Sequence, residues 1–382
     1  MHDFTYYNPT EVIFGRQRHK EIGSILNSHE KRRVLLVYGE GSIVKNGLYD
    51  EIVKILKEHK IEYYELSHVM SNPTLSKVHE GVAICKEHNI DALLGVGGGS
   101  VVDTAKAIAL GSQYGGDVWD FFIKKAEPKV ALDVYAIMTL AASASEVNGN
   151  SVITNQKTEQ KYSVGSPILN PRVSIINPEL MHSVSPEYLA YSAVDVIAHA
   201  VEVYFSASHQ PEFNSYVVEA IVKRIMNTTT TLLNEPNNYD ARAEFAWVAS
   251  QALNGSLKTG TKDGTFANHM IEHSISALFN IAHGAGLSIV MPAWMRWYKD
   301  KNKDQFQRFA YAIFNTDSTD EAITKLQEWF DQIGSPTKLH QVGIDESSFD
   351  SIVENIYETA KLWGLEKTYT KSALKEIIYL AK

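Results

Sequence analysis

A single cysteine, Cys85, stands in the whole chain. No disulfide can close within it and no thiolate cluster can hold a metal, so any metal must be bound by imidazole and carboxylate. Basic charge is not in excess either. The 36 Lys and Arg face 45 Asp and Glu, a formal net charge of −9, which speaks against nucleic acid as a partner. No apolar run reaches the roughly 18 residues that a membrane helix needs. The first residues, Met-His-Asp-Phe-Thr-Tyr-Tyr, lack a basic stretch leading into an apolar one. No signal peptide, no membrane span and a reducing cytoplasm are therefore expected. Finally, the stretches 188–205 and 265–294 contain no Lys or Arg at all.

What the chain does have is an ordinary globular composition, 44% hydrophobic and 21% charged over 382 residues. That length exceeds one small core and predicts two domains. Strand and helix patterns alternate up to about Pro178, and only helical periodicity follows, with Ser185-Pro186 as a helix start and a further helix expected over 286–297. The predicted division is an α/β domain over 1–180 and an all-helical domain over 181–382.

In the first part, Phe4 to Gly15 carries β-formers on both sides of Asn8-Pro9 and reads as an extended hairpin. Arg33 to Gly39 is an apolar run of the kind a doubly buried strand shows. Helix is expected over 48–59 and 77–88, and strand over 61–66, 91–96 and 134–139. This alternation predicts a parallel, doubly wound sheet. Two glycine-rich turns follow strands, Gly39-Glu40-Gly41-Ser42 and Gly97-Gly98-Gly99-Ser100. The second opens a helix with Ser100 as the expected N-cap, and glycine there lets backbone N–H groups approach a pyrophosphate. A purely structural turn would look the same, and the motif is not Gly-x-Gly-x-x-Gly. The segment Leu140 to Glu146, with Ser143 in it, is small and hydroxyl-bearing, suited either to packing against a ligand or to a polar turn.

In the second part, His269, His273 and His283 fall in one apolar stretch, with His269 and His273 four apart on one helical face. Asp195 and His199 repeat that spacing upstream. One Asp and two or three His make a shell for a divalent transition metal with a position left for a substrate oxygen. Each residue alone could equally be a hydrogen-bonded core histidine or a buried cap. Trp294, Trp297, Trp329 and Trp363 read as packing rather than as a substrate box.

These motifs together, Gly97 to Lys106, Asp195 to Glu202 and the three histidines, resemble the iron-containing (group III) alcohol dehydrogenases over essentially the whole chain, in the butanol dehydrogenase and broad NAD(P)H-dependent aldehyde reductase branch. The resemblance implies a Rossmann-like, dehydroquinate synthase-like N-terminal domain that binds NAD(P)H and a helical domain that binds one Fe²⁺ or Zn²⁺. It puts metal ligands at Asp195, His199, His269 and His283, and an additional active-site histidine at His273. It puts coenzyme contacts at Gly39, Gly97, Gly98, Gly99, Ser100, Thr139, Leu140 and Lys161. Glu40, Gly41, Ser42, Asp103 and Ser143 join these as candidates from the two turns, the glycine motif and the small-residue segment. The sequence departs from the family where a Thr-Gly-Ser-Glu turn reads Ser143-Ala144-Ser145-Glu146, and where Glu40 interrupts a Gly-Gly-Gly-Ser. The implied substrate is a small aldehyde or primary alcohol, and the implied assembly a homodimer. Two other readings remain at this point, a lyase of the dehydroquinate-synthase type and a non-catalytic nucleotide- or metal-binding module. The lyase's acidic phosphorylated substrate calls for Lys and Arg, which the helical candidate stretches lack.

Overall fold

In a computed structural model describing all residues, Met1–Lys382, the chain divides into one unit over Tyr7–Val184 and another formed by Ser185–Lys382 together with Met1–Tyr6. The first unit is built on β1 (Glu11–Phe14), β2 (Arg33–Gly39), β3 (Glu62–Val69), β4 (Ala92–Gly97), β5 (Asp133–Met138) and β8 (Val173–Ile176). These six form one sheet in the order β1-β8-β5-β4-β2-β3, and every pairing is parallel. Val34, Leu35, Leu36 and Val37 are wholly buried, because helices cover both faces and leave no polar side to alternate toward. The helices are α1 (Ile22–Ser28), α2 (Ser42–Lys45), α3 (Leu48–Glu58), α4 (Leu75–His88), α5 (Gly99–Ser112) and α6 (Trp119–Phe122). A hairpin of β6 (Asn150–Asn155) and β7 (Gln160–Gly165) stands apart from the sheet.

The strand order locates a switch point. From β2 the chain runs through α3 to β3 on one side, then returns through α4 to β4 on the other side of β2. Gly39 and Gly97 end these two adjacent strands, at the crevice where open α/β sheets bind nucleotides.

Three local expectations change. Phe4 to Gly15 forms no hairpin: only Glu11–Phe14 is a strand, paired in parallel with β8, while Asn8 donates to the Val147 carbonyl and accepts from the Thr10 amide. Ser100 does not cap α5. The helix begins two residues earlier with Gly98 at the N-cap, and the Ser100 hydroxyl donates to the Ser71 carbonyl at 2.6 Å. The helix expected from Gly286 begins at His283.

The second unit is helical: α7 (Pro186–Ser206), α8 (Glu212–Asn234), α9 (Tyr239–Ala252), α10 (Ala267–Phe279), α11 (His283–Tyr298), α12 (Lys303–Phe314), α13 (Thr319–Gln332), α14 (Phe349–Trp363) and α15 (Lys371–Leu380). Ser185 caps α7 by accepting from the Tyr188 amide, with Pro186 at the first helical position where its missing N–H costs nothing. No helix is long and apolar enough to cross a membrane.

Candidate metal and nucleotide sites

Three helices of the second unit bring the histidines together. On α7, Asp195, His199 and Glu202 lie at i, i+4 and i+7, one face of the helix, and all are buried. On α10, His269, Glu272 and His273 are likewise buried. Asn280 ends α10 in the left-handed conformation, and a two-residue link delivers His283 at the start of α11. Close approach of α11 depends on missing side chains: a Cβ on Gly284 would lie 2.2 Å from the Tyr191 carbonyl oxygen, and one on Gly286 would lie 2.7 Å from Cγ of Glu272. With glycine there, His283 reaches Asp195.

Asp195 Oδ1 is 3.5 Å from each of three imidazole nitrogens, His199 Nδ1, His269 Nε2 and His283 Nε2. Asp195 Oδ1, His199 Nδ1 and His269 Nε2 are buried and make no hydrogen bond. Orphaned polar atoms converging on one point are costly unless something lies between them. Donors about 2.1 Å from a common tetrahedral centre sit about 3.4 Å from one another. The observed spacing, and a set of one carboxylate and three imidazoles, fit a divalent transition metal.

The far sides of two rings are held by buried carboxylates. His269 Nδ1 bonds Glu202, and His283 Nδ1 bonds Glu272, which leaves both Nε2 atoms turned toward Asp195. Glu202 also accepts from the amides of Asn268 at 2.7 Å and His269 at 3.3 Å, so one carboxylate satisfies the first turn of α10 and orients the histidine it carries. Glu272 takes the Ser276 hydroxyl as well. Burial would raise the Asp195 carboxyl, but His199 and the neighbouring imidazoles override it and hold it well below the usual carboxylate range. Burial pushes His199 down to about 3. For His269 burial also acts downward, yet Glu202 and Asp195 outweigh it and raise the ring. His273 lies beside the cluster, its ring centroid 6.1 Å from His269 and 5.6 Å from His283, with the Trp363 ring edge-on at 6.2 Å. Trp294 is fully buried and donates to the Tyr369 hydroxyl, a packing role.

In the first unit the Gly97–Ser100 turn meets the segment after β5. A Cβ on Gly99 would lie 2.1 Å from Ser143 Oγ, one on Gly98 would lie 3.3 Å from Cβ of Leu140, and the Thr139 amide donates to the Gly97 carbonyl at 2.9 Å. Gly97 to Ser100 and Thr139, Leu140 and Ser143 thus form one wall at the start of α5, where the first amides of a 14-residue helix have no partner within it. Lys161 is buried and donates to Asn72, next to the Ser71 carbonyl that holds Ser100. Gly41 has φ of 116°, which only glycine adopts freely, and it turns the chain from exposed Glu40 into Ser42 at the head of α2. Asp103 points away from the turn, accepting from the Ser145 hydroxyl at 2.5 Å and the Val152 amide at 3.0 Å.

Sequence reasoning did not single out Glu202, Glu272 or Lys106. The signal for the two glutamates is present: each lies three residues after a candidate ligand histidine, in a helix stretch with no Lys or Arg to pair it.

The description "Iron-containing alcohol dehydrogenase" matches residues 9–178, and "Fe-containing alcohol dehydrogenase family, C-terminal" matches residues 189–381. The chain belongs to the iron-containing alcohol dehydrogenase family. Membership makes it an oxidoreductase and implies a nicotinamide coenzyme and a metal. It is 40% identical to the probable NADH-dependent butanol dehydrogenase 1 of Bacillus subtilis over 362 residues, 93% of each chain. It is 30% identical to the NADPH-dependent aldehyde reductase YqhD of Escherichia coli over 371 residues, 94% of each. Among solved structures, NADH-dependent butanol dehydrogenase A of Thermotoga maritima superposes with a TM-score of 0.97 at 44% identity, covering 100% of this chain and 99% of that one.

Proposed function

We propose that this enzyme is an NADH-preferring alcohol dehydrogenase acting mainly as a reductase of small uncharged aldehydes such as butanal, with one Fe²⁺ or Zn²⁺ held by Asp195, His199, His269 and His283. The observation that carries it is the convergence of three imidazole nitrogens on one carboxylate oxygen at 3.5 Å each. When bound, the metal supplies Lewis acidity to a carbonyl oxygen and the coenzyme supplies a hydride.

The chain's own residues do the rest. Glu202 and Glu272 fix the tautomers of His269 and His283, so that unprotonated Nε2 atoms face inward. His273, adjacent to the cluster, gives a proton from its ring to the product oxygen, directly or through water. Amides at the start of α5, approached through Gly97 to Ser100, bind the pyrophosphate, with Gly39, Gly41, Ser42, Thr139, Leu140, Ser143 and Lys161 lining the coenzyme and Asp103 supporting them. Glu40, exposed at the tip after β2, accepts from a ribose 2′-hydroxyl and repels a 2′-phosphate, which favours NADH. The NADH-dependent names of several relatives support that preference. The absence of Lys and Arg from 188–205 and 265–294 favours an uncharged substrate over the acidic phosphorylated one of a lyase. The same reading takes the enzyme as a cytoplasmic homodimer, in keeping with a lone buried free thiol.

The test is NADH oxidation with butanal, with and without added Fe²⁺ or Zn²⁺. Metal-dependent turnover is the expected result. NADH binding without turnover under any metal would overturn the catalytic reading.

A further inference from the structure

Lys106 lies on α5, is wholly buried, and plays no part in the chemistry above. Its ammonium donates to the carbonyls of Ser145 at 2.6 Å, Asn148 at 2.8 Å and Asn150 at 2.8 Å, and to Ser145 Oγ at 2.8 Å. Asn148 Oδ1 stands at 3.4 Å. An ammonium has three protons, so every one is engaged and at least one is shared. Carbonyls from three points on one loop cannot converge this closely without a cation among them, since their dipoles repel. Burial draws Lys106 down to about 8, which still leaves it charged at neutral pH.

The loop it holds is under strain. Ala144 sits at φ 51° and ψ 24°, left-handed backbone that a residue with a Cβ adopts only at a cost. The ties run outward from the ammonium: Asn148 Nδ2 donates to the carbonyls of Ala144 at 2.7 Å and Ser143 at 3.3 Å, and the Ser145 amide donates to Ser143 Oγ at 3.3 Å. Ser143 Oγ in turn abuts Gly99, where any Cβ would collide with it. Asp103 and Glu146 are the charged groups facing Lys106, and Asp103 grips the same Ser145 hydroxyl.

We propose that Lys106 is a positioning residue of the coenzyme site: its buried ammonium gathers the 145–150 carbonyls and so presses Ser143 against the Gly97–Ser100 turn. This rests on the reading that the turn binds the coenzyme. Lys106→Met keeps the stem's length and removes the cation. In the full-length, metal-loaded protein, amide exchange over residues 143–152 is expected to quicken while strands β4 and β5 keep their protection. The Kd for NADH, read by its fluorescence, should rise about tenfold, with the loss falling on the NADH KM rather than on kcat. Metal content should stay at the parent level, which distinguishes a displaced loop from a collapsed protein. Unchanged exchange over 143–152, or a Kd within about twofold of the parent, would overturn the inference. A parent that fails to bind NADH would instead overturn the functional reading beneath it. Should Lys106→Met not fold, Asn148→Ala cuts the ties to Ser143 and Ala144, together with the Asn148 Oδ1 contacts to the Asn150 amide and the ammonium; the same weakening of NADH binding is expected, and parent-like binding would refute the role.

Discussion

Glu202→Gln is the perturbation that separates a metal centre supported by its surroundings from a chance meeting of histidines. The glutamate is wholly buried, and its two oxygens divide their work: Oε2 takes the Asn268 amide at 2.7 Å, while Oε1 takes the His269 amide at 3.3 Å and the His269 ring. A glutamine has the same shape but only one acceptor oxygen. Placed toward His269, it leaves an NH₂ facing the Asn268 N–H, donor against donor. Placed the other way, it loses the ring. Either choice strands a buried donor, at a cost of about 1–3 kcal/mol in stability. The metal suffers separately, because a ligand histidine without its carboxylate is less basic and less fixed, and such losses run to about 10–100-fold in affinity. Urea unfolding of the metal-free protein reads the first effect, and competition with a chelator reads the second. If Glu202→Gln binds Zn²⁺ within about twofold of the parent, the orienting role is wrong, and Glu202 is only the cap of α10.

Three further outcomes are expected. Gly284→Ala places a Cβ 2.2 Å from the Tyr191 carbonyl, so α11 must withdraw from α7; metal content should fall with little change in NADH binding, and retention of full metal would show that α11 can shift without moving His283. His273→Ala should keep its metal and lose about 10²–10⁴-fold in turnover; wild-type turnover with an unchanged pH profile would mark His273 as packing against Trp363 and nothing more. Glu40→Gly should raise kcat/KM with NADPH relative to NADH by about tenfold, near 1.4 kcal/mol, a modest figure because an exposed charge is screened; an unchanged ratio in steady-state kinetics would place the carboxylate away from the ribose.

The parts of the fold that local chemistry determines were legible in the sequence. Arg33–Gly39 is legible residue for residue as a strand, since burial on both faces leaves an unbroken apolar run. Ser185-Pro186 announced α7 through a hydroxyl and a ring that suit the first turn. What depends on distant partners was not legible. The β-formers around Asn8-Pro9 invite a local hairpin, yet Ile13 finds its partner in Ile175, which no nearby residue discloses. The β6–β7 hairpin is not legible either, because Asn-Ser-Val-Ile-Thr-Asn and Gln-Lys-Tyr-Ser-Val-Gly mix polar and apolar residues without a long apolar run. His283-Gly-Ala-Gly looks like a loop, although Gly284 lets a helix pack against the α7 backbone and Gly286 lets it pack against Glu272 of α10. The histidines and Asp195 stood out because polar groups in cation-free apolar segments need a reason. Glu202 and Glu272 meet the same criterion, but which histidine each holds depends on how α7, α10 and α11 pack.

The central claim, that Asp195, His199, His269 and His283 share one metal on which turnover depends, is met most directly by the metal content of His283→Ala. Purified alongside the parent after loading with Fe²⁺ or Zn²⁺, this variant should lose most of its metal and nearly all butanal reduction, while its Kd for NADH stays at the parent value. Full metal occupancy in His283→Ala would contradict the account.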